Sequence, residues 1–131
     1  MALVFKNEYM VIKWHLSSSL LNVTWLRAVE CMSLLDYHQC LLTLGNYVDN
    51  FQPNIFVFDA YDFNYRATTV LDDFFAKITK SLEHSEIALI SSRLFIGRYT
   101  ISRIAEKYSI LNVFENQTDF IYWLKTKGPN S

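Results

Sequence analysis

Asn54-Ile55-Phe56-Val57-Phe58-Asp59 is the stretch on which the fold turns. Four β-branched or aromatic residues stand in a row, with no alternation of polar and apolar positions. Such a strand is buried on both sides, as in a sheet covered by helices on either face. Ile87-Ala88-Leu89-Ile90 has the same character further along the chain. Two buried strands of this kind, separated by a helix, belong to a parallel sheet.

The intervening and flanking segments fill in the rest. Tyr9 to Trp14 reads as a first strand, rich in β-branched and aromatic residues. Ser17-Ser18-Ser19 breaks it, and Leu21, Val23 and Trp25 then alternate with Asn22 and Thr24 as a half-buried second strand. With so short a link the two should pair antiparallel. Ser33 and Asp36 form an approximate capping box for a helix whose apolar stripe is Tyr37, Cys40, Leu41, Leu44, Val48 and Phe51, with Gly45 a tolerated weakness and Pro53 beyond its end. Asp59 to Ala67 has no period and is a loop. Thr69, with Asp72 in the capping position, opens a second helix facing inward through Val70, Leu71, Phe74, Ile78 and Leu82. A third helix runs through Tyr99, Ile104, Ala105 and Tyr108, and a fifth strand takes in Ile110, Leu111, Val113 and Phe114. Asn116 and Asp119 cap a last helix bearing Phe120, Ile121 and Leu124, closed by Gly128-Pro129.

The expectation is an α/β fold in the order β-β-α-β-α-β-α-β-α: a five-stranded mixed sheet, antiparallel only in its N-terminal hairpin, with about four helices. The 131 residues fit one domain spanning 1–131. An apolar content of 51%, with 16% aromatic, supplies a core without disulfide or structural metal.

Charge and composition narrow the partners. Twelve basic and thirteen acidic residues are scattered, so no basic surface for nucleic acid and no Lys/Arg-rich segment for an anionic membrane is expected. No apolar run approaches the ~20 residues of a membrane helix. Lys6, Glu8 and Lys13 interrupt the N-terminal stretch, which speaks against a signal peptide and for a cytoplasmic location. Cys31 and Cys40 are nine apart, outside C-x-x-C spacing, and read as two reduced, mostly buried thiols.

Tests for catalysis fail one by one. His15, His38 and His84 are isolated, without metal-ligand spacing. No G-x-S-x-G elbow, Walker A loop or G-x-G-x-x-G occurs, and three glycines are too few for a phosphate cradle. Asp59 and Asp62 are the carboxylates of interest, because open α/β sheets place ligands at strand carboxyl ends. A receiver-type phospho-acceptor, with Ser91-Ser92 ending the next strand, fails because Trp14-His15 and Glu115-Asn116 replace its acidic pair and its lysine. No catalytic residue, metal or cofactor is assigned.

The element order, with Met32-Ser33-Leu34-Leu35-Asp36-Tyr37 opening the first helix and Asn54–Asp59 running into Tyr61-Asp62-Phe63, resembles the STAS domains. It is most similar to their small stand-alone bacterial members, the SpoIIAA-like and STAS/SEC14-like proteins. The resemblance implies a non-enzymatic regulatory or protein-interaction module. It also implies a phosphorylatable Ser or Thr in a short turn after the third strand. Here that turn is longer and lacks Gly, leaving Thr68 and Thr69 as candidate acceptors or as simple helix caps.

The loop itself is the candidate interaction site: Asp59, Tyr61, Asp62, Phe63, Tyr65 and Arg66. It is longer than the usual ~2–6-residue connection. Tyr61, Phe63 and Tyr65 recur at every second position; packed beneath the loop they are core, exposed they are a patch for a protein partner or a second copy. The alternative is a small apolar or lipid-like ligand in a pocket at the strand carboxyl ends.

Overall fold

Ile55–Asp59, the strand that anchors the reading, is buried at all five positions. It lies fourth in a six-stranded sheet in this computed structural model, which describes residues 2–127. The strands are β1 (Ala2–Lys6), β2 (Met10–His15), β3 (Leu20–Trp25), β4 (Ile55–Asp59), β5 (Glu86–Ile90) and β6 (Asn112–Phe114). Helices α1 (Leu34–Phe51), α2 (Thr68–Ser81), α3 (Phe95–Lys107) and α4 (Gln117–Thr126) alternate with the later strands, and a 3-10 turn covers Arg27–Cys31. The strands lie side by side in chain order, antiparallel from β1 to β3 and parallel from β3 to β6.

The sheet thus has six strands where five are expected. Ala2–Lys6 is the addition, an edge strand paired with β2 and bulged between Leu3 and Phe5. Its two ends are exposed and its middle half-buried, so it carries little period of its own; pairing with β2 makes it a strand. The β2–β3 turn closes through Ser19, at φ 50°, whose carbonyl accepts the N–H groups of Asn54 and Ile55.

Alternation within β4 sorts the core into two layers. Phe56 and Phe58 point into a large cluster with Leu21, Val23 and Trp25 of β3, the loop residue Phe63, Tyr37 and Leu44 of α1, Phe75 of α2 and Ile101 and Ile104 of α3. Ile55 and Val57 point the other way, joining Leu20, Ala88, Ile90 and Phe120 beneath α4, with Phe114, Trp123 and Leu124 packed against them. On that face β2 and β3 carry Lys13, His15, Asn22 and Thr24, none of them fully buried. Among the described residues, the Trp25 indole N–H and the Tyr37 hydroxyl are buried without a hydrogen-bond partner. Each such group costs about 1–3 kcal/mol, which the surrounding aromatic packing offsets.

The helix ends follow the expected chemistry at two places and depart at a third. Ser33 Oγ accepts the Asp36 N–H, and Asn116 Oδ1 accepts that of Asp119. The α2 end is different: Thr68 is already helical, Ala67 holds the cap position, and no side chain caps it. Asp72 instead accepts hydrogen bonds from Lys107 Nζ at 2.6 Å and the Tyr108 hydroxyl at 2.8 Å, tying α2 to the end of α3. These bonds hold the Asp72 carboxyl below its ordinary pKa. Among the expected burials, Cys31, Tyr99, Ile110, Val113 and Ile121 are exposed, and Ile110 and Leu111 precede β6 rather than joining it. Gly128-Pro129 lies outside the described residues.

Candidate functional site

At the carboxyl ends of the parallel strands the chain leaves the sheet in four connections, and the one after β4 is the longest without regular structure. Asp59 ends β4 in a register row with Thr24 and Ile90. It is 2% exposed, and its carboxylate accepts the Tyr61 N–H at 3.1 Å and the Gln117 amide at 2.9 Å. Burial pushes its pKa up; the two hydrogen bonds pull it back, and nearby Asp62 adds to the rise. Asp59 is therefore the peg between β4 and the first turn of α4.

The loop beyond Asp59 is fastened along its backbone. Arg93 N–H donates to the Tyr61 carbonyl, and Ser92 Oγ donates to the Phe63 carbonyl at 2.7 Å. Asn64 Oδ1 accepts the Gly97 N–H, and Thr100 Oγ1 donates to the Tyr65 carbonyl. Gly97 is required here by contact: a Cβ on it would lie 1.6 Å from the Phe63 carbonyl oxygen. On the other flank, the Tyr65 hydroxyl donates to the Met32 carbonyl just before α1. The loop is thereby tied to both neighbouring connections.

These ties fix which way each side chain faces. Phe63 is wholly buried, in edge contact with Trp25 and Phe58, and Tyr65 is half-buried against Tyr37. Tyr61 stands out, 41% exposed. Arg93 lies over the Tyr61 ring, 5.7 Å from its centre, and pairs with Asp62 at 2.8 Å. Arg66 is exposed, and its carbonyl accepts the Thr68 hydroxyl. Thr69 is exposed in the first turn of α2. Of the six loop residues singled out in the sequence, Tyr61, Asp62 and Arg66 reach the surface while Asp59, Phe63 and Tyr65 build the support.

Two further surfaces belong to this end. Leu34 and Leu35, 53% and 69% exposed, open α1, and Phe95, 87% exposed, opens α3. Beside Asp59 a cleft of about 400 Å³ is lined by Thr24, Trp25, Asp59, Tyr61, Asp62 and the start of α4, Asn116 to Thr118. Most of its lining residues are polar by type, but the surface they turn into it is slightly more apolar than polar. Arg93, Phe95 and Gln117 escape a sequence reading because they come from other connections; the signal that was present is Gly97, a glycine inside a helix that marks a close backbone approach.

His15, His38 and His84 fall on β2, on α1 and in the turn after α2. Among the described residues no three His, Cys, Asp or Glu side chains are grouped to hold a metal ion, and no helix is long and apolar enough to cross a membrane. Comparison with protein-family models, with curated proteins and with solved structures finds no match to this chain.

Proposed function

We propose that the chain is a non-enzymatic protein-interaction module that binds its partner through the carboxyl edge of the sheet. The observation that carries this reading is a set of exposed apolar side chains, Leu34, Leu35, Tyr61 and Phe95, at the first turns of α1 and α3 and on the loop after β4. That loop ties the set together: the Tyr65 hydroxyl donates to the Met32 carbonyl, the Arg93 N–H to the Tyr61 carbonyl and the Gly97 N–H to Asn64 Oδ1. A surface already held in one conformation loses little entropy on binding. Arg93 and Asp62 beside Tyr61 supply the polar rim and orientation such contacts use. A small apolar ligand is the weaker reading, because Phe63 and Tyr65 are spent on the core and, among the described residues, leave no aromatic-lined pocket in the loop. The resemblance to stand-alone STAS-fold proteins extends the proposal to regulation: phosphate on exposed Thr69 would add negative charge beside this surface.

The test compares wild type with Tyr61→Ser/Phe95→Ser by quantitative affinity capture from cells of the source organism, alongside thermal melting. The double variant should lose its specific partner about tenfold or more, as expected for removal of anchoring aromatics. Its stability should stay within about 0.5 kcal/mol, as for other exposed sites. Equal capture by both proteins, or a large drop in stability, would remove the surface from consideration.

A further inference from the structure

We propose that the loop after β4 is a strap that opens as a unit while the sheet and helices stay folded, with Phe63 and Tyr65 lifting off the Trp25 indole N–H and the Tyr37 hydroxyl. Trp25 ends β3, Tyr37 stands near the start of α1, and both residues are wholly buried. Their ring centres are 6.1 Å apart, and among the described residues neither polar group finds a hydrogen-bond partner. Burial pushes the Tyr37 hydroxyl far above the ordinary phenol range, with Tyr65 and Cys40 adding to the rise. Most buried polar groups in folded proteins are bonded, so two orphans side by side load this spot with unfavourable energy.

The cover over them is the loop. Phe63 meets Trp25 at 5.4 Å and Tyr37 at 6.2 Å between ring centres, and Tyr65 meets Tyr37 at 4.6 Å. Residues 60–67 form neither helix nor strand, so separate single bonds hold them to the rest of the molecule. Ser92 Oγ, Thr100 Oγ1 and the Arg93 N–H donate to loop carbonyls, the Gly97 N–H donates to Asn64 Oδ1, and the Tyr65 hydroxyl donates to the Met32 carbonyl. None of these bonds belongs to a strand ladder or to the backbone ladder of a helix, so all can break without unzipping either. Opening returns freedom to the loop backbone and brings water to both orphans. The closed loop dominates, through its bonds and the burial of Phe63, but opening it costs less than unfolding the molecule. Tyr61 travels with the strap, so a partner bound at the carboxyl edge would hold it shut. That consequence rests on the interaction reading; the strap does not, and its opening is measurable without a partner.

Native-state hydrogen exchange on the purified full chain tests this, read by NMR at the Phe63, Arg93 and Gly97 amides, whose bonds lie within or across the loop. In wild type the three should exchange together, about tenfold or more faster than the amides of β4, as expected for an opening below the global limit. Tyr37→Phe keeps the ring and removes the hydroxyl, so it should slow all three about tenfold, the scale of one buried unsatisfied group. Ser92→Ala should speed them, because it removes the bond to the Phe63 carbonyl. A loop that exchanges no faster than β4 overturns the proposal. So does Tyr37→Phe without slowing at the loop, or Ser92→Ala without speeding. A crystal structure with an ordered water bonded to the Tyr37 hydroxyl beneath the closed loop overturns it as well.

Discussion

On one face of the sheet Phe56 and Phe58 enter a layer of three helices and meet Trp25, Tyr37, Phe63, Phe74 and Phe75; on the other, Ile55 and Val57 meet α4 alone. The first face holds most of the buried side chains, and its aromatic rings touch edge to face through successive neighbours. The second is a patch of six buried residues with Phe114, Trp123 and Leu124 at its margin. Stability and access are therefore divided between the faces. The three-helix side fixes the fold, and the α4 side carries the cleft and the Asp59 peg. The division also explains the loop after β4, whose rings are spent on the first face while Tyr61 is turned toward solvent.

The contrast is broken most severely at its centre. Phe58→Ala, at a wholly buried position touching Trp25, Phe63 and Phe75, should cost about 3–5 kcal/mol in denaturant unfolding. A loss below about 1 kcal/mol would mean that the first face is not the main store of stability. Phe120→Ala is the matching change on the second face, at a ring 7% exposed beside Phe114 and Trp123. It should cost less, about 2–3 kcal/mol, because a marginal site can relax around the loss. Hydrogen exchange should then show α4 amides opening before those of α1 to α3. Uniform exchange across all four helices would erase the distinction.

The smallest effect is expected at the boundary, at Asp59. Its folded pKa is raised, so the folded state holds a proton more tightly than the unfolded chain does. The stabilisation linked to that proton is complete below the ordinary carboxylate range and is lost as pH rises through the folded pKa. Asp59→Asn abolishes this titration while keeping an oxygen for the Tyr61 N–H. Melting both proteins from acid to neutral pH should therefore show the variant gaining on wild type as pH rises. A difference that is flat with pH, or of opposite slope, would show that Asp59 is not held in the way its burial implies.

Much of this architecture was legible in the residues, for reasons that differ by element. Ile55–Phe58 and Ile87–Ile90 declare themselves because unbroken apolar runs have only one comfortable environment. Ser33 and Asn116 declare themselves because an N-cap is a local contract between a side chain and an N–H three residues on. The same spacing misleads at Thr69 and Asp72, where the carboxylate is drawn to Lys107 and Tyr108, 35 and 36 residues away. Long-range electrostatics leave no local mark. β1 was hidden for a related reason, since an exposed edge takes its conformation from its neighbour. At the candidate site the loop and Asp59 were readable, but the exposure of Tyr61 and the burial of Phe63 were not. Which ring turns inward depends on Ser92, Gly97 and Thr100, which hold the loop from the β5–α3 turn and from α3 itself.

Because the strands stand in the sheet in the order in which they occur along the chain, each new strand joins the one made just before it. As the chain leaves the ribosome, β2 has β1 waiting, β3 has β2, and every later strand finds its template already exposed. No strand must be threaded between two others, and no early strand waits for a late one to fill a gap beside it. Assembly can run as a one-way zipper, growing at its C-terminal edge, and synthesis from the N-terminus suits that order. The weak point of such a scheme is its moving front: each temporary last strand is an open edge that can pair with another molecule until its successor arrives.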